Sequence, residues 1–467
     1  MADQTAKFLE GSLLKHITVM SVTTSVGFIL LFVVDLVDML FISMLGNAQL
    51  AAAVGFAGSI LFFTTSAGIG LSIAAGSLIA RSLGEGDAHR AREYMTHVMI
   101  LGFIFAVIFA GSVWLSLDYL VGLIGATGEA KDFAISYLQI IIPTMPILMI
   151  GMVASAALRS HGAAVLSTAA TIAAGLTNAI LDPIFIFVLD MGLNGAAWAS
   201  VVARIAMAAT ALWPIFRRYG GFGSFQLSAL AVDVRPILAL AVPAILANIA
   251  APVGGAYVTR AAAEFGQDAV AGMAVIGRVT PIAFALIFAM SGAIGPIIGQ
   301  NYGAQKFDRV RRAYLESLYF IIGYVVLMVL ILLLLRNHIA NVFGLQGLGR
   351  DLVLLFCGPL SLAWIFNGII FMSNASFNNL GHPFYSTWIN WGRNTIGIIP
   401  FVYIGAQYWG AEGVLIGQMM GGALIAAVAL YLANRTMRAA EAIPQSDAKK
   451  ERFAGHRRVF QMLNHRH

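Results

Sequence analysis

Charge is scarce in this chain. Of its 467 residues, 11% are Asp, Glu, Lys or Arg while 59% are hydrophobic, and the mean hydropathy is +0.84. A soluble domain carries roughly 25% charge, so an ordinary water-soluble fold is excluded. Cysteine is scarcer still: Cys357 is the single one. It has no partner for an intrachain disulfide and cannot build a metal site alone, which leaves a small apolar packing residue. Nucleotide-site context is missing too. GLGRD (347–351) and GIGLSIAAG (68–76) are glycine-rich but follow no strand, so they are discounted, and nothing points to an enzyme or a cofactor. The net charge of +6 is read as a membrane-orientation bias, not as a nucleic-acid signal.

What is there is a series of long apolar runs. They lie near 14–42, 50–80, 94–117, 133–158, 163–189, 194–216, 236–262, 269–299, 313–335, 351–379, 384–408 and 410–434. Each reaches the ~20 residues a helix needs to cross the hydrocarbon core. They are too long and alternate too poorly for barrel strands, and helices satisfy their own backbone groups in lipid. The expected fold is an all-α polytopic membrane protein of about twelve spans. The first run has no small-residue cleavage site after it and is read as the first span.

Basic residues alternate between sides. Arg81, Arg90 and Arg92, then Arg159, then Arg217, Arg218 and Arg235, then Lys306, Arg309, Arg311 and Arg312 mark one set of connections. The other set is poorer in cations, with Arg336 and Arg350 as exceptions. The positive-inside rule places the basic connections in the cytoplasm, and an even span count puts both termini there. Residues 435–467 read as a solvated basic tail that touches anionic lipid at most.

The chain is internally duplicated. IARSLGEGDAHRARE (79–93) aligns with IGQNYGAQKFDRVRR (298–312), LRSHG (158–162) with FNNLG (377–381), and MGLNGAA (191–197) with WGAEGVL (409–415). All share an offset of about 219. Two six-span halves in one orientation follow: an N-lobe over 1–219, a linker over 220–235 and a C-lobe over 236–434. Parallel repeats of this kind place a substrate site between lobes that rock against each other.

Two acids interrupt the apolar runs: Asp38 in FVVDLVDMLFISMLG (32–46) and Asp182 in TNAILDPIFIFVLD (177–190). An ionised carboxylate at a helix centre costs about 2.5–3.5 kcal/mol on insertion scales, so such groups usually face water or an ion. Asn178 and Asp182 are four apart and share a helix face. Pro183 follows, has no N–H and crowds the Ala179 carbonyl, so the helix should bend there. An amide, a carboxylate and a freed carbonyl make an oxygen-rich corner suited to Na⁺ or a protonated acid. Asp35, three residues before Asp38, is a candidate accessory acid. Arg204, Arg278 and Arg393 are the arginines within spans; Arg278, near Pro281, is a candidate substrate or carboxylate contact. For all three the alternative is a fixed structural pair.

VDLVDMLFISMLGNAQLAAAVGF (34–56), the paired helix ends LGEGDAHRA and YGAQKFDRV, and ALRSHG (157–162) resemble the multidrug and toxic compound extrusion (MATE) transporters over about residues 12–435. The run NAILDPIFIFVLDMGLNGAAWAS (178–200) is most similar to the DinF-like branch. The resemblance implies antiport at the inner (cytoplasmic) membrane, with inward H⁺ or Na⁺ driving export of small organic, often cationic compounds by a monomer. It implies an N-lobe coupling site of Asp38, Asn178, Asp182 and Ser200. Other branches carry acids in the seventh and tenth helices. Here PAILANIAAPVGGAYVTR (243–260) and SLAWIFNGIIFMSNASF (361–377) hold none. The alternatives are a lipid-linked oligosaccharide flippase of the same superfamily, whose cavity is lined by more basic groups, and an uncoupled channel.

Overall fold

In the computed structural model the described residues, 6–442, are helical throughout their ordered elements, with no strand among them. The helices are α1 (Leu13–Met44), α2 (Ala48–Gly84), α3 (Ala88–Leu115), the short α4 (Leu117–Leu123), α5 (Gly128–Ile141), α6 (Met145–Ser160), α7 (Ala164–Pro183) and α8 (Gly192–Arg218). Then come α9 (Leu227–Ala263), α10 (Gln267–Ala283), α11 (Ala285–Gly303), α12 (Phe307–Val342), α13 (Gly347–Phe356), α14 (Trp364–Asn379), α15 (Pro383–Asn394) and α16 (Ile399–Glu441). The tail expected over 435–467 starts later than that: residues 435–441 continue α16, with Thr436, Met437 and Ala440 buried, and 443–467 lie outside the described residues. α9 begins at Leu227, so the latter half of the expected 220–235 linker is already helix.

Ten helical stretches are long and apolar enough to span a membrane, and α10 and α11, bent by 46° at their junction, make an eleventh. The last stretch, Pro383–Glu441, has 59 residues. As a straight rod it would be about 88 Å long, nearly three hydrocarbon thicknesses. It is instead a hairpin of two spans. Trp409 and Gly410 leave helical geometry, Gly410 at φ 57°, where a residue without Cβ is favoured. Across the hairpin Gly405 meets Gly413, Gly417 meets Phe401 and Gly421 meets Gly397, so closely that a methyl group on any of these glycines would strike the opposing backbone. Small residues every four positions let helix backbones approach in lipid. Among the described residues the total is therefore twelve spans.

The repeat is visible in the contacts. Gly84 packs on the backbone of Gln300, and Gly303 packs on that of Arg81. Each pair maps onto the other under the 219-residue offset, so the end of α2 crosses the end of α11 about a pseudo-two-fold axis. The fourth span is broken by a 3₁₀ turn at Ile142–Thr144 and the tenth by one at Pro359–Ala363, again equivalent positions. α1–α8 form one lobe and α9–α16 the other.

The lobes are tied at the end that carries the basic connections. Ser77 donates to the Asn378 carbonyl (3.1 Å), Gln300 donates to the Ser160 carbonyl (2.7 Å), and the Arg81 guanidinium lies 4.9 Å from the Tyr302 ring centre. Mid-span, Gly70 abuts Ala241 and Ile245, and Phe32 meets Phe288 edge-on at 6.2 Å. Nearer the opposite end Gly55, Gly58, Gly255 and Gly277 have open space.

Candidate functional site

The N-lobe brings its intramembrane acids together. Asp38 sits near the last two turns of α1, a helix without proline. Asp182 is the penultimate residue of α7 and is fully buried. The missing N–H of Pro183 is answered locally by a widened turn: Ile184–Val188 is π-helical, and Leu189 donates to the Ile184 carbonyl at 2.9 Å. Directly after Pro183, where a bend was expected, the helix type changes beside the carboxylate. Such π turns are frequent at functional sites.

Asn178 donates its amide to Asp182 Oδ2 at 2.9 Å. The carboxyl of Asp38 lies within hydrogen-bonding reach of that of Asp182. Oδ1 of each acid is buried with no donor from the described residues. Asp182 is buried, Asp38 is half-buried, and the two acids are side-chain neighbours between α1 and α7. Two ionised carboxylates offer only acceptors, so a proton or a cation between them is what makes the contact favourable.

Tyr137 completes the group, and the sequence reading missed it. It stands on α5 beside Ser200 of α8, and Arg204 first, then Asp38 and Asp182, are close enough to act on it electrostatically. Ser200 therefore approaches the acids through the tyrosine. The available signal was the polar cluster Ser136, Tyr137 and Gln139 inside an apolar span. Asp35 is exposed and senses Asp38 alone of these groups, so it borders the site without joining it.

The three intramembrane arginines separate. Arg204 has a structural position: Nη1 donates to the Ile141 carbonyl (3.0 Å) and to Thr144 Oγ1 (2.8 Å). These groups lie at the break that Pro143 forces in the fourth span, and the Gln139 carbonyl freed there accepts from Trp114 Nε1 at 3.3 Å. Arg278 is exposed on α10 and Arg393 is half-buried on α15; neither reaches the acidic group.

The C-lobe does not repeat this chemistry. The counterpart of Asp38 is near Val258 and that of Asp182 is near Phe401. Val258 packs with Ala262, Ile398, Val402 and Val414 in an apolar cluster, and Tyr257, the residue at the 219-residue offset from Asp38, packs against it. The acidic group is a property of one lobe.

Comparison with known proteins places the fold. A family model described as MatE matches residues 24–184 and 243–404, once in each lobe. A protein named FAD transporter from Shewanella oneidensis is 26% identical over 429 residues, covering 89% of this chain and 93% of that one. The multidrug export protein MepA of Staphylococcus aureus (strain MSSA476) is 23% identical over 442 residues, covering 92% and 96%. Among solved structures, a mutant of the Vibrio cholerae MATE transporter VcmN has a TM-score of 0.86 at 24% identity, covering 91% of this chain and 97% of that one. A MOP superfamily transporter from Pyrococcus furiosus reaches 0.87 at 23% identity, covering 94% and 99%.

Proposed function

This chain belongs to the MatE family, and from that premise we propose that it is a cation-coupled antiporter of the inner membrane that exports small organic compounds by alternating access. Its relatives are transporters, not enzymes. The observation that carries the coupling is the Asp38–Asp182 contact with Asn178 on one carboxylate, present in the N-lobe and replaced by aliphatic packing in the C-lobe.

The pair works as follows. With one proton or Na⁺ between the carboxyls the site is compact and α1 is drawn onto α7. Without it the like charges repel and must hydrate, and the cavity accepts a cationic substrate. A second proton, arriving from outside, neutralises the site and favours drying and release. The π turn after Pro183 lets α7 change its bend beside the acid. A gradient of one pH unit supplies about 1.4 kcal/mol per proton, enough to shift a conformational equilibrium tenfold. The basic end faces the cytoplasm, so the state described here is closed inward. The lobe division that goes with this reading is an N-lobe to about 219 and a C-lobe from about 236 to 434, both termini being cytoplasmic.

The test is transport in proteoliposomes with H⁺ and Na⁺ gradients imposed separately. Export should follow one gradient and stop when that gradient is collapsed. Flux that persists without a gradient would indicate a channel. A second substrate class enters the same assay, because the Shewanella relative carries the name FAD transporter and Arg278 is exposed on α10: an anionic flavin nucleotide should be run beside a cationic dye.

A further inference from the structure

The motif IGQNYGAQKFDRV (298–310) marks more than a helix end. Its polar side chains hold the segment that precedes α1. The Phe8 N–H donates to Gln300 Oε1 at 2.9 Å. The Phe8 carbonyl accepts from Asn301 Nδ2 (3.1 Å) and Arg309 Nη2 (2.9 Å), and the Leu9 carbonyl accepts from Lys306 Nζ (3.0 Å). The carbonyls of Glu10 and Gly11 accept from Arg309 at 3.3 and 3.2 Å. Four consecutive carbonyls of a non-helical segment are thus bound by one helix junction of the opposite lobe.

The Phe8 side chain is 2% exposed. A methyl group on Gly162, in the α6–α7 turn of the N-lobe, would lie 3.2 Å from its ring. Gln300 meanwhile donates its amide to Ser160 at the end of α6. Phe8 therefore plugs the seam between the lobes. The segment is joined covalently to α1 in the N-lobe and bonded to α11 and α12 in the C-lobe.

A related tie exists across the pseudo-two-fold. Arg90 is the counterpart of Arg309 under the 219-residue offset. Arg90 pairs with Asp233, which lies in the first turns of α9, at 2.5 Å, and His97 contacts the same carboxylate at 2.6 Å. Upstream, the Gly223 N–H donates to Thr96 Oγ1 at 2.8 Å. Each lobe's lead-in segment is clamped to the other lobe through an equivalent arginine. The second clamp is an ion pair in which the Asp233 carboxylate is fully buried and Arg90 is partly exposed. The first is made of hydrogen bonds to neutral backbone carbonyls, with no ion pair to Arg309 or Lys306 among the described residues, so it is the more easily released of the two.

We propose that residues 7–12 are a latch: docked on Gln300, Asn301, Lys306 and Arg309 they hold the basic end of the transporter closed, and their release accompanies opening at that end. This rests on the alternating-access reading above, but its test needs neither substrate nor gradient. The full chain with Cys357→Ala receives a reporter, Ser77→Cys, at the seam; Ser77 is 6% exposed and bonds across it. A control, Ser317→Cys, sits inside the C-lobe at 0% exposure. Maleimide labelling is timed in detergent micelles with and without Phe8→Ala, and in parallel with Arg309→Gln, which keeps the plug.

Labelling at Ser77→Cys should rise roughly fivefold or more in both variants, the scale of a lost kilocalorie-size contact set, while Ser317→Cys stays protected. Unchanged labelling at Ser77→Cys would overturn the latch. So would equal gains at both positions, because the segment would then brace the whole fold. If Phe8→Ala does not fold, Arg309→Gln decides alone by the same criteria. Failure of coupled transport with the labelling result intact would fault the coupling reading and leave the latch standing.

Discussion

Asp182 shows how one residue can be read from sequence and still be incomplete. A carboxylate amid TNAILDPIFIFVLD is conspicuous because hydrocarbon penalises it, and its fourfold spacing from Asn178 put both on one face; the 2.9 Å bond between them follows. Tyr137 was not legible in the same way. A tyrosine in an apolar span costs little, so its only mark was the weak polar cluster with Ser136 and Gln139 until the fold brought α5 against α8. Arg204 remained open for a related reason: its partners, Ile141 and Thr144, are distant in sequence and exist only because Pro143 breaks the fourth span. Two predictions belong at this scale. Asp182→Asn and Asp38→Asn should each fold and insert yet lose gradient-driven export, because the amide fixes the site in its neutral form. Wild-type efflux from either variant in proteoliposomes would refute the coupling role. Tyr137→Phe keeps the ring and loses the hydroxyl near Ser200, so export should slow by about two- to tenfold, the worth of one neutral hydrogen bond. A loss as complete as in Asp182→Asn would instead make the tyrosine part of the cation site.

At the scale of the element, apolar length predicted spans well and their interruptions poorly. Every long run became helix, but the π turn at Ile184–Val188, the 46° break between α10 and α11 and the non-helical Trp409–Gly410 corner depend on which carbonyls lose a donor and what packs nearby. The α15–α16 region is a partial exception. Hydropathy separates its two spans near residue 409, and the backbone leaves helical geometry at the same place, Trp409–Gly410. Gly405, Gly413, Gly417 and Gly421 then close the hairpin, backbone against backbone. Gly417→Val should therefore cost at least about 1–3 kcal/mol of stability, the usual penalty for overpacking a tight interface. Gly58→Ala, at a glycine of α2 with open space around it, should be silent. Thermal unfolding followed by size-exclusion chromatography checks both, and equal stability of the two variants would contradict the hairpin packing.

At the scale of the whole molecule, the duplication was the most telling sequence feature, because three matches at one offset imply two lobes before any helix is placed. What the duplication could not reveal was the conformation: which end is closed depends on contacts between lobes. The seam at the basic end supplies them. Gly299 packs there so that a Cβ on it would lie 2.9 Å from that of Ala80 and 2.7 Å from Asn379 Oδ1; once the Asn379 side chain gives way and the helices part slightly, the pair reaches the ~3.5–4.5 Å range of disulfide Cβ atoms. The one native cysteine, Cys357, is buried in the C-lobe and is removed by Cys357→Ala, leaving a clean background. In that background Ala80→Cys with Gly299→Cys should form a disulfide on oxidation that joins α2 to α11 and pins the lobes in the state described here. If the transporter rocks about the crossing of these helices, oxidation should abolish substrate efflux in proteoliposomes and reduction should restore it, while each single variant remains active under both conditions. Full efflux from the cross-linked protein would mean that this end never opens, and alternating access through this seam would have to be abandoned.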